Sequence, residues 1–277
     1  MRYIESYSIF KILNESLLSD DQRMVNKAFL NMADPETGLC MWDGELIKPK
    51  DVVDVINETL NYMQDEWPYW YSYFMDFSII WSSKSGLQVD TMAVDDNMNL
   101  YINPLFVQKY LKNKVEYTQF VLMHEMMHVV FNHVRRSKNY LNNSPIARTW
   151  RDTNLAGDLE INTFLVLLNV ITRSEIENEI GGGVILDEVN RVITLEDILD
   201  SDDLMNKLKS KFDQPNKSLP QQNNNSNNDI QADGGESQQL DPAFVDGFNE
   251  AKKIINDMVA KGLSTEEIIA EINKIRK

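Results

Sequence analysis

A chain of 277 residues with 43% hydrophobic content can bury a sizeable core, as one large domain or two small ones, and one main domain with an appendage is expected. Its 27 Lys and Arg against 43 Asp and Glu give a formal charge of −16, which argues against nucleic acid and anionic membrane surfaces as partners, because both repel an acidic protein. The lone cysteine, Cys40, excludes an internal disulfide, and residues 1 to 18 lack the continuous apolar run of a signal peptide, so a reducing, cytoplasmic location is expected.

Residues 3 to 33 read as two helical pieces, with Ser19-Asp20 as the cap between them and Asp34-Pro35-Glu36-Thr37-Gly38 as the stop. Val52, Val53, Ile56, Leu60 and Met63 recur at helical spacing, which predicts a third helix over 50 to 66. Pro68 opens an aromatic cluster, Tyr69, Trp70, Tyr71, Tyr73, Phe74 and Phe77, expected to form a short helix running into a strand over 77 to 82. That cluster is read as core, since large aromatic area mostly stabilises folds. Thr91-Met92-Ala93-Val94 and Leu100-Tyr101-Ile102, joined by a polar turn, predict a β-hairpin. Asn103-Pro104 starts a helix to about Leu111, and Asn113 with Glu116 resembles a capping box opening the next one, expected to run to about Ser137.

A second long helix is expected over 149 to 168. The apolar run at 161 to 171 is shorter than the roughly 20 residues of a membrane span and carries Asn162 and Asn169, so it reads as a buried helix. Gly181-Gly182-Gly183 lacks the Lys-Ser/Thr ending of a phosphate loop and reads as a turn. Residues 194 to 211 are helical. From about 214 to 239 the chain is dominated by Gln, Asn, Ser, Asp and Gly, too polar to offset the entropy of ordering. The expected layout is therefore a domain over 1–212, with an N-terminal helical region over 1–66 and a core over 67–212. A polar linker over 213–240 follows, then an amphipathic helical segment over 241–277 that docks back or binds a partner.

The chemistry concentrates at His124-Glu125-Met126-Met127-His128, which holds two of the three histidines. On a helix, residues four apart lie about 40° apart around the axis, so both imidazoles reach one metal ion with Glu125 beside it. The surrounding residues, from Phe120 to Phe131, are apolar nearly all round. Burying two imidazoles and a carboxylate there without a partner would cost several kcal/mol, and a bound metal removes that cost. A catalytic zinc takes three protein ligands and one water, and Glu125 is placed to act as general base.

His133 follows His124 by nine residues and would face about 180° away on a continuous helix. The metzincin pattern sets its last histidine one residue later, after a glycine that turns the chain, and Val129-Val130-Phe131-Asn132 has no glycine. The second long helix offers Asn154, Asp158 and Asn162 at four-residue spacing, and Gly157, without a Cβ, suits close helix approach. Asp158 therefore ranks first as third ligand, Glu160 second and His133 third, with Asn154 and Asn162 as hydrogen-bond supports of the ligands. Tyr101 and Arg136 are the oxyanion-stabilising candidates.

Several pieces in order resemble the putative metallopeptidase domain of a bacterial and phage family of metal-dependent peptidases that usually end in a von Willebrand A-like domain. They are Val89-Asp90-Thr91-Met92-Ala93-Val94-Asp95, Leu100 to Val107, the motif with His133 and Arg136, and Asn154-Leu155-Ala156-Gly157-Asp158-Leu159-Glu160-Ile161-Asn162. Gly183 to Asp187 and Thr194 to Leu199 look like its continuation, so the resemblance covers about 70 to 210. In that family the acidic position matching Asp158 recurs, the one matching Glu160 varies, and the histidine at 133 belongs to the pattern. Thr153 stands where the family commonly has tryptophan, and the segment after the linker is too short for a von Willebrand A-like domain. Family members often associate with MoxR-type ATPases, which implies an ATPase or other protein partner besides a peptide or protein substrate.

The resulting expectation is an α+β, zincin-like fold, helix-rich, with a small, mostly antiparallel sheet over the motif helix. Its edge is expected to accept an extended peptide. The expected activity is that of a Zn2+-dependent metallopeptidase using His124, His128 and Asp158 as ligands and Glu125 as base. The alternative is a catalytically weak metal-binding interaction or assembly protein.

Overall fold

The computed structural model describes residues 19–84, 86, 89–178, 185–186, 191–212 and 242–276. The expected helix before Ser19, the glycine triplet and the polar stretch of 214 to 239 lie outside the described residues. What is described is α+β: mostly helix, with two small sheets. None of the described helices is long and apolar enough to cross a membrane. The chain divides into two compact units, one from Met1–Thr91 with Asn99–Gln119, the other from Met92–Met98 with Phe120–Lys277.

The first unit begins with α1 (Asp20–Leu30), where Ser19 and Gln22 form a reciprocal capping box. Gln22 is buried because its Nε2 also donates to the carbonyls of Phe74 and Phe77 at 3.1 and 2.7 Å, tying α1 to the aromatic segment. Strands β1 (Cys40–Trp42) and β2 (Glu45–Ile47) form an antiparallel hairpin that the sequence reading did not include. Asp43 and Gly44 make its two-residue turn with φ of +52° and +91°, the double left-handed geometry that an Asp-Gly pair favours. Helix α2 (Pro49–Glu66) buries Val52, Val53, Ile56, Leu60 and Met63, the residues whose spacing predicted it.

Helix α3 (Pro68–Phe74) and strand β3 (Ser78–Trp81) follow. Trp70, Tyr71, Tyr73, Phe74 and Phe77 are all buried, so the aromatic cluster is core apart from Tyr69, which is exposed. Strand β5 (Asn99–Ile102) pairs with β3 in parallel, Ser78 opposite Asn99 and Trp81 opposite Ile102. This one pair departs from the mostly antiparallel expectation: the connection from 82 to 98 returns the chain to the start of β3 before β5 begins. Asn103 closes the excursion, its Nδ2 donating to the carbonyl of Val89 and its backbone N–H to that of Thr91, while its Oδ1 caps α4 (Pro104–Phe106). A π-helical stretch, Val107–Leu111, continues α4. Asn113 is left-handed, φ +62°, so it ends that stretch instead of capping the next helix, because a cap residue needs extended backbone.

The second unit takes strand β4 (Met92–Val94) and its turn, in which Asp95 Oδ1 accepts the Asn97 N–H at 2.9 Å. Its frame is helical: α5 (Val115–Val130, entering the unit at Phe120), α6 (His133–Asn143), α7 (Trp150–Leu167), α8 (Arg173–Asn178), α9 (Leu195–Asp200), α10 (Asp202–Phe212), α11 (Pro242–Ala260) and α12 (Thr265–Arg276). Helix α7 is central and almost wholly buried. Leu155, Ala156 and Leu159 on α7 pack with Leu195, Ile198, Leu199, Met205 and Leu208 of α9 and α10. The C-terminal helices dock back: α12 contacts α7, and Ile255 and Ile268 are fully buried.

Thr149 starts α7 by accepting the Asp152 N–H, and Asp152 reciprocates to the Thr149 N–H. Thr149→Ala should destabilise the chain by about 1 kcal/mol, read as a lowered urea midpoint at unchanged slope; an unchanged midpoint would show that the cap does not hold α7.

Candidate metal centre

Helix α5 presents an apolar surface nearly all round, with Phe120, Leu122, Met123, Met126 and Met127 buried. Only residues 124, 125 and 128 bring polar atoms into this region of the helix, and they need partners there. The four-residue spacing sets His124 and His128 side by side, ring centroids 4.9 Å apart. Helix α7 supplies the facing groups, Asp158 and Asn162, one turn apart on one side of that helix.

Helix α5 does not run on to Ser137. It stops at Val130, and Asn132 takes a left-handed backbone, φ +55°, before α6 starts at His133. Asn tolerates this region better than other non-glycine residues, so it performs the turn for which a glycine was sought. The reversal cancels the 180° offset of a continuous helix. His133 comes to rest beside His128, centroids 5.1 Å apart, with its ring over Gly157. A Cβ at Gly157 would lie 2.9 Å from His133 Nδ1, so the missing side chain makes room for an imidazole as well as for a helix.

The donor atoms form a triangle. His124 Nε2 and His128 Nε2 are 3.2 Å apart, and Asp158 Oδ1 lies 3.4 Å from the first and 3.3 Å from the second. A tetrahedral ion with ligand bonds of about 2.0–2.1 Å separates any two of its donors by about 3.3–3.4 Å, so the three atoms already stand where such an ion requires them. Among the described residues this is the group of His, Cys, Asp and Glu side chains able to hold a metal. The side chains are partly exposed, 14% and 18% for the histidines and 30% for Asp158, which leaves one side open to water.

Behind the triangle, each imidazole is held through its other nitrogen. His124 Nδ1 lies 2.8 Å from Asn162 Oδ1, an acceptor, so Nδ1 carries the proton and Nε2 turns its lone pair toward the triangle. His128 Nδ1 lies 3.1 Å from His133 Nδ1, and His133 Nε2 lies 3.2 Å from Glu160 Oε2. A carboxylate accepts, so His133 Nε2–H donates to it. His133 Nδ1 is then the acceptor from His128 Nδ1–H, and His128 Nε2 also faces the triangle unprotonated. Glu160 and His133, the lower-ranked ligand candidates, thus stand one step behind the three converging atoms. Arg136, an oxyanion candidate by sequence, is engaged elsewhere: Nε donates to Glu196 at 2.9 Å, and Nη1 reaches Glu160 at 3.0 Å and the Phe131 carbonyl at 3.2 Å. Asn154 is exposed.

The electrostatics follow from these contacts. Burial pushes the Asp158 carboxyl up, but the facing His124 and His128 imidazoles in their protonated form, the positive charge that a bound cation would take over, outweigh it and hold the group well below the usual carboxylate range. Burial would lower His124, and the facing Asp158 more than offsets it, so the net shift is upward. Glu160 is likewise raised by burial, yet the His133 hydrogen bond and the charges of Arg136 and Lys252 bring it to about 2. His133 falls to about 4, chiefly by burial, against the pull of Glu160, so it is neutral with one N–H and one lone pair, as the hydrogen-bond chain requires. Burial raises the Glu125 carboxyl, with partial offset from the two histidines.

The sequence reading did not find Glu196 or Lys252, whose links to the site cross long stretches of chain; the run from Glu160 to Lys252 is 92 residues. The left-handed Asn132 had a signal in its residue type, since Asn is among the non-glycine residues most enriched in that region.

Replacing a mid-helix glycine by alanine normally stabilises by about 1 kcal/mol. Gly157→Ala should reverse that sign and destabilise the chain by about 1–3 kcal/mol, read from the denaturation midpoint, because His133 has to move. A stabilised variant would show that the ring does not occupy this space.

No curated protein and no solved structure matches the chain. A family model described as putative metallopeptidase domain matches residues 59–254, which takes in the motif helix, Asp158, Glu160 and the start of the C-terminal helices, a wider span than the 70 to 210 read from the sequence. With most of its length under that match, the chain belongs to the putative metallopeptidase domain family.

Proposed function

We propose that the chain is a zinc-dependent peptidase of zincin-like fold, with His124, His128 and Asp158 as ligands and Glu125 as general base. The observation that carries this reading is the triangle of donor atoms with edges of 3.2, 3.3 and 3.4 Å, partly open to solvent. Two imidazole nitrogens and one carboxylate oxygen suit a borderline ion such as zinc; calcium and magnesium prefer all-oxygen sets of about six or more. Three protein donors with an open side is the pattern of a catalytic site, whereas structural zinc sites close with four.

When bound, zinc would supply Lewis acidity, lowering the pKa of a water it holds to about 7 and polarising a substrate carbonyl. The chain's own residues do the rest. Glu125, adjacent to His124 on α5, takes a proton from the attacking water and returns it to the leaving amine, a role suited to a carboxyl raised by burial. Asn162 and His133 hold the two imidazoles in the tautomer that leaves Nε2 free. The family description supports peptide bonds as the target, so peptide or protein chains are the substrate class of this reading.

The full chain should bind about one zinc, and His128→Ala and Asp158→Ala should each lose it, as measured by elemental analysis after dialysis. A chain that holds no zinc overturns the reading. Glu125→Gln should keep the metal while cleavage of an unfolded protein substrate falls at least about a hundredfold. Survival of cleavage in that variant would remove Glu125 from the mechanism, and zinc binding without cleavage in the unaltered chain would make it a metal-holding interaction protein.

A further inference from the structure

The Glu160 side chain is fully buried, and its two oxygens are served from different regions of the chain. Oε2 receives His133 Nε2 at 3.2 Å, Arg136 Nη1 at 3.0 Å and the Leu195 backbone N–H at 2.9 Å. Oε1 receives Lys252 Nζ, its partner among the described residues. Lys252 sits on α11, its side chain only 17% exposed, and its ammonium also lies 4.0 Å from the centroid of the Phe131 ring, directly before the turn that places His133. The burial of Ile255 and Ile268 holds α11 and α12 in place around it.

The geometry points to Lys252 as a positioning residue of the metal centre, acting through Glu160 and His133 on His128. This rests on the reading of His128 as a metal ligand. The terminal torsion of a glutamate is broad, so a carboxylate held by one oxygen can swing. With both oxygens held, its plane is fixed, and with it the direction in which Oε2 accepts from His133. His133 Nδ1 then faces His128 Nδ1 at 3.1 Å and sets the ring that presents Nε2 to the ion. Partners that orient a ligating imidazole typically change metal affinity by about 10–100-fold, and a link further out acts at the low end of that range. The lysine's own positive charge would repel a dication, but Glu160 and His133 stand between them and Glu160 carries the compensating charge. The held geometry outweighs that repulsion. The C-terminal helices, expected from sequence to be an appendage, thereby contribute to the centre.

The test is zinc affinity of the full chain, measured by competition with a chelating dye for the unaltered protein, Lys252→Met, Lys252→Arg, His133→Phe and the double variant Lys252→Met/His133→Phe. His133→Phe keeps a ring over Gly157 but has no nitrogen. Lys252→Met should weaken zinc binding about tenfold and Lys252→Arg should restore most of it. In the His133→Phe background Lys252→Met should change nothing further, because the path through His133 is already cut. A general loss of packing would instead add to the His133→Phe effect, and additive losses overturn the proposal. Unchanged or tighter binding in Lys252→Met overturns it as well, while leaving the metal site standing. Absence of zinc binding in the unaltered protein is a separate failure, that of the metal reading itself. Should Lys252→Met not fold, Lys252→Gln takes its place with the same outcomes.

Discussion

The centre depends on one close approach: the His133 imidazole lying against the bare backbone of Gly157. At that point α6 and α7 come near enough for an aromatic ring on one to fill the space where the other would carry a side chain. Everything polar in this region is then within reach. Glu160 lies behind His133, His128 lies in front of it, and Asp158, one residue after Gly157, faces the two motif histidines. Even a Cβ at 157 would displace the His133 ring and disturb its contacts with His128 and Glu160, at a cost of about 1–3 kcal/mol.

The polar groups answer this constraint in two layers with different chemistry. The three donor atoms that converge on the open side have lone pairs directed at one another, an arrangement that calls for a cation. The layer behind them is internally compensated: Arg136 and Lys252 against Glu160 and Glu196, with neutral His133 as the link. Isolated buried ion pairs are weak evidence of stability, since desolvation offsets their attraction. Here the network also fixes the order of protons from Glu160 to His128. With the carboxylate as terminal acceptor, only one tautomer of each ring satisfies every contact.

Much of this was legible in the sequence, and the limits have physical causes. The spacing of His124 and His128 and the carboxylate at Asp158 follow helical periodicity, which survives any arrangement of helices. The apolar stripes of α2 and the aromatic core segment were readable for the same reason. His133 escapes a reading along an unbroken helix, because one left-handed residue, Asn132, changes its direction by about half a turn. The parallel pairing of β3 with β5 depends on where an intervening loop returns, which local patterning does not encode. The Asp43-Gly44 hairpin did carry a local signal, in a pair favoured for two left-handed residues. Lys252 carried none: it is one charge on an amphipathic helix, distinguished only by what it meets 92 residues away.

Neither compact unit is a continuous stretch of chain. The first is interrupted by Met92–Met98, and helix α5 crosses from one unit to the other at Gln119 and Phe120. Domains generally fold as units while synthesis proceeds from the N-terminus. The first unit therefore lacks a strand and a helical segment until residue 119 has been made, and the unit that holds the candidate metal site lacks Lys252 until the chain has grown 92 residues past Glu160. Until then Glu160 has its Arg136 and His133 contacts available but no cation at Oε1. A vectorially made chain would thus have His124, His128 and Asp158 in hand before the lysine proposed as their outermost support.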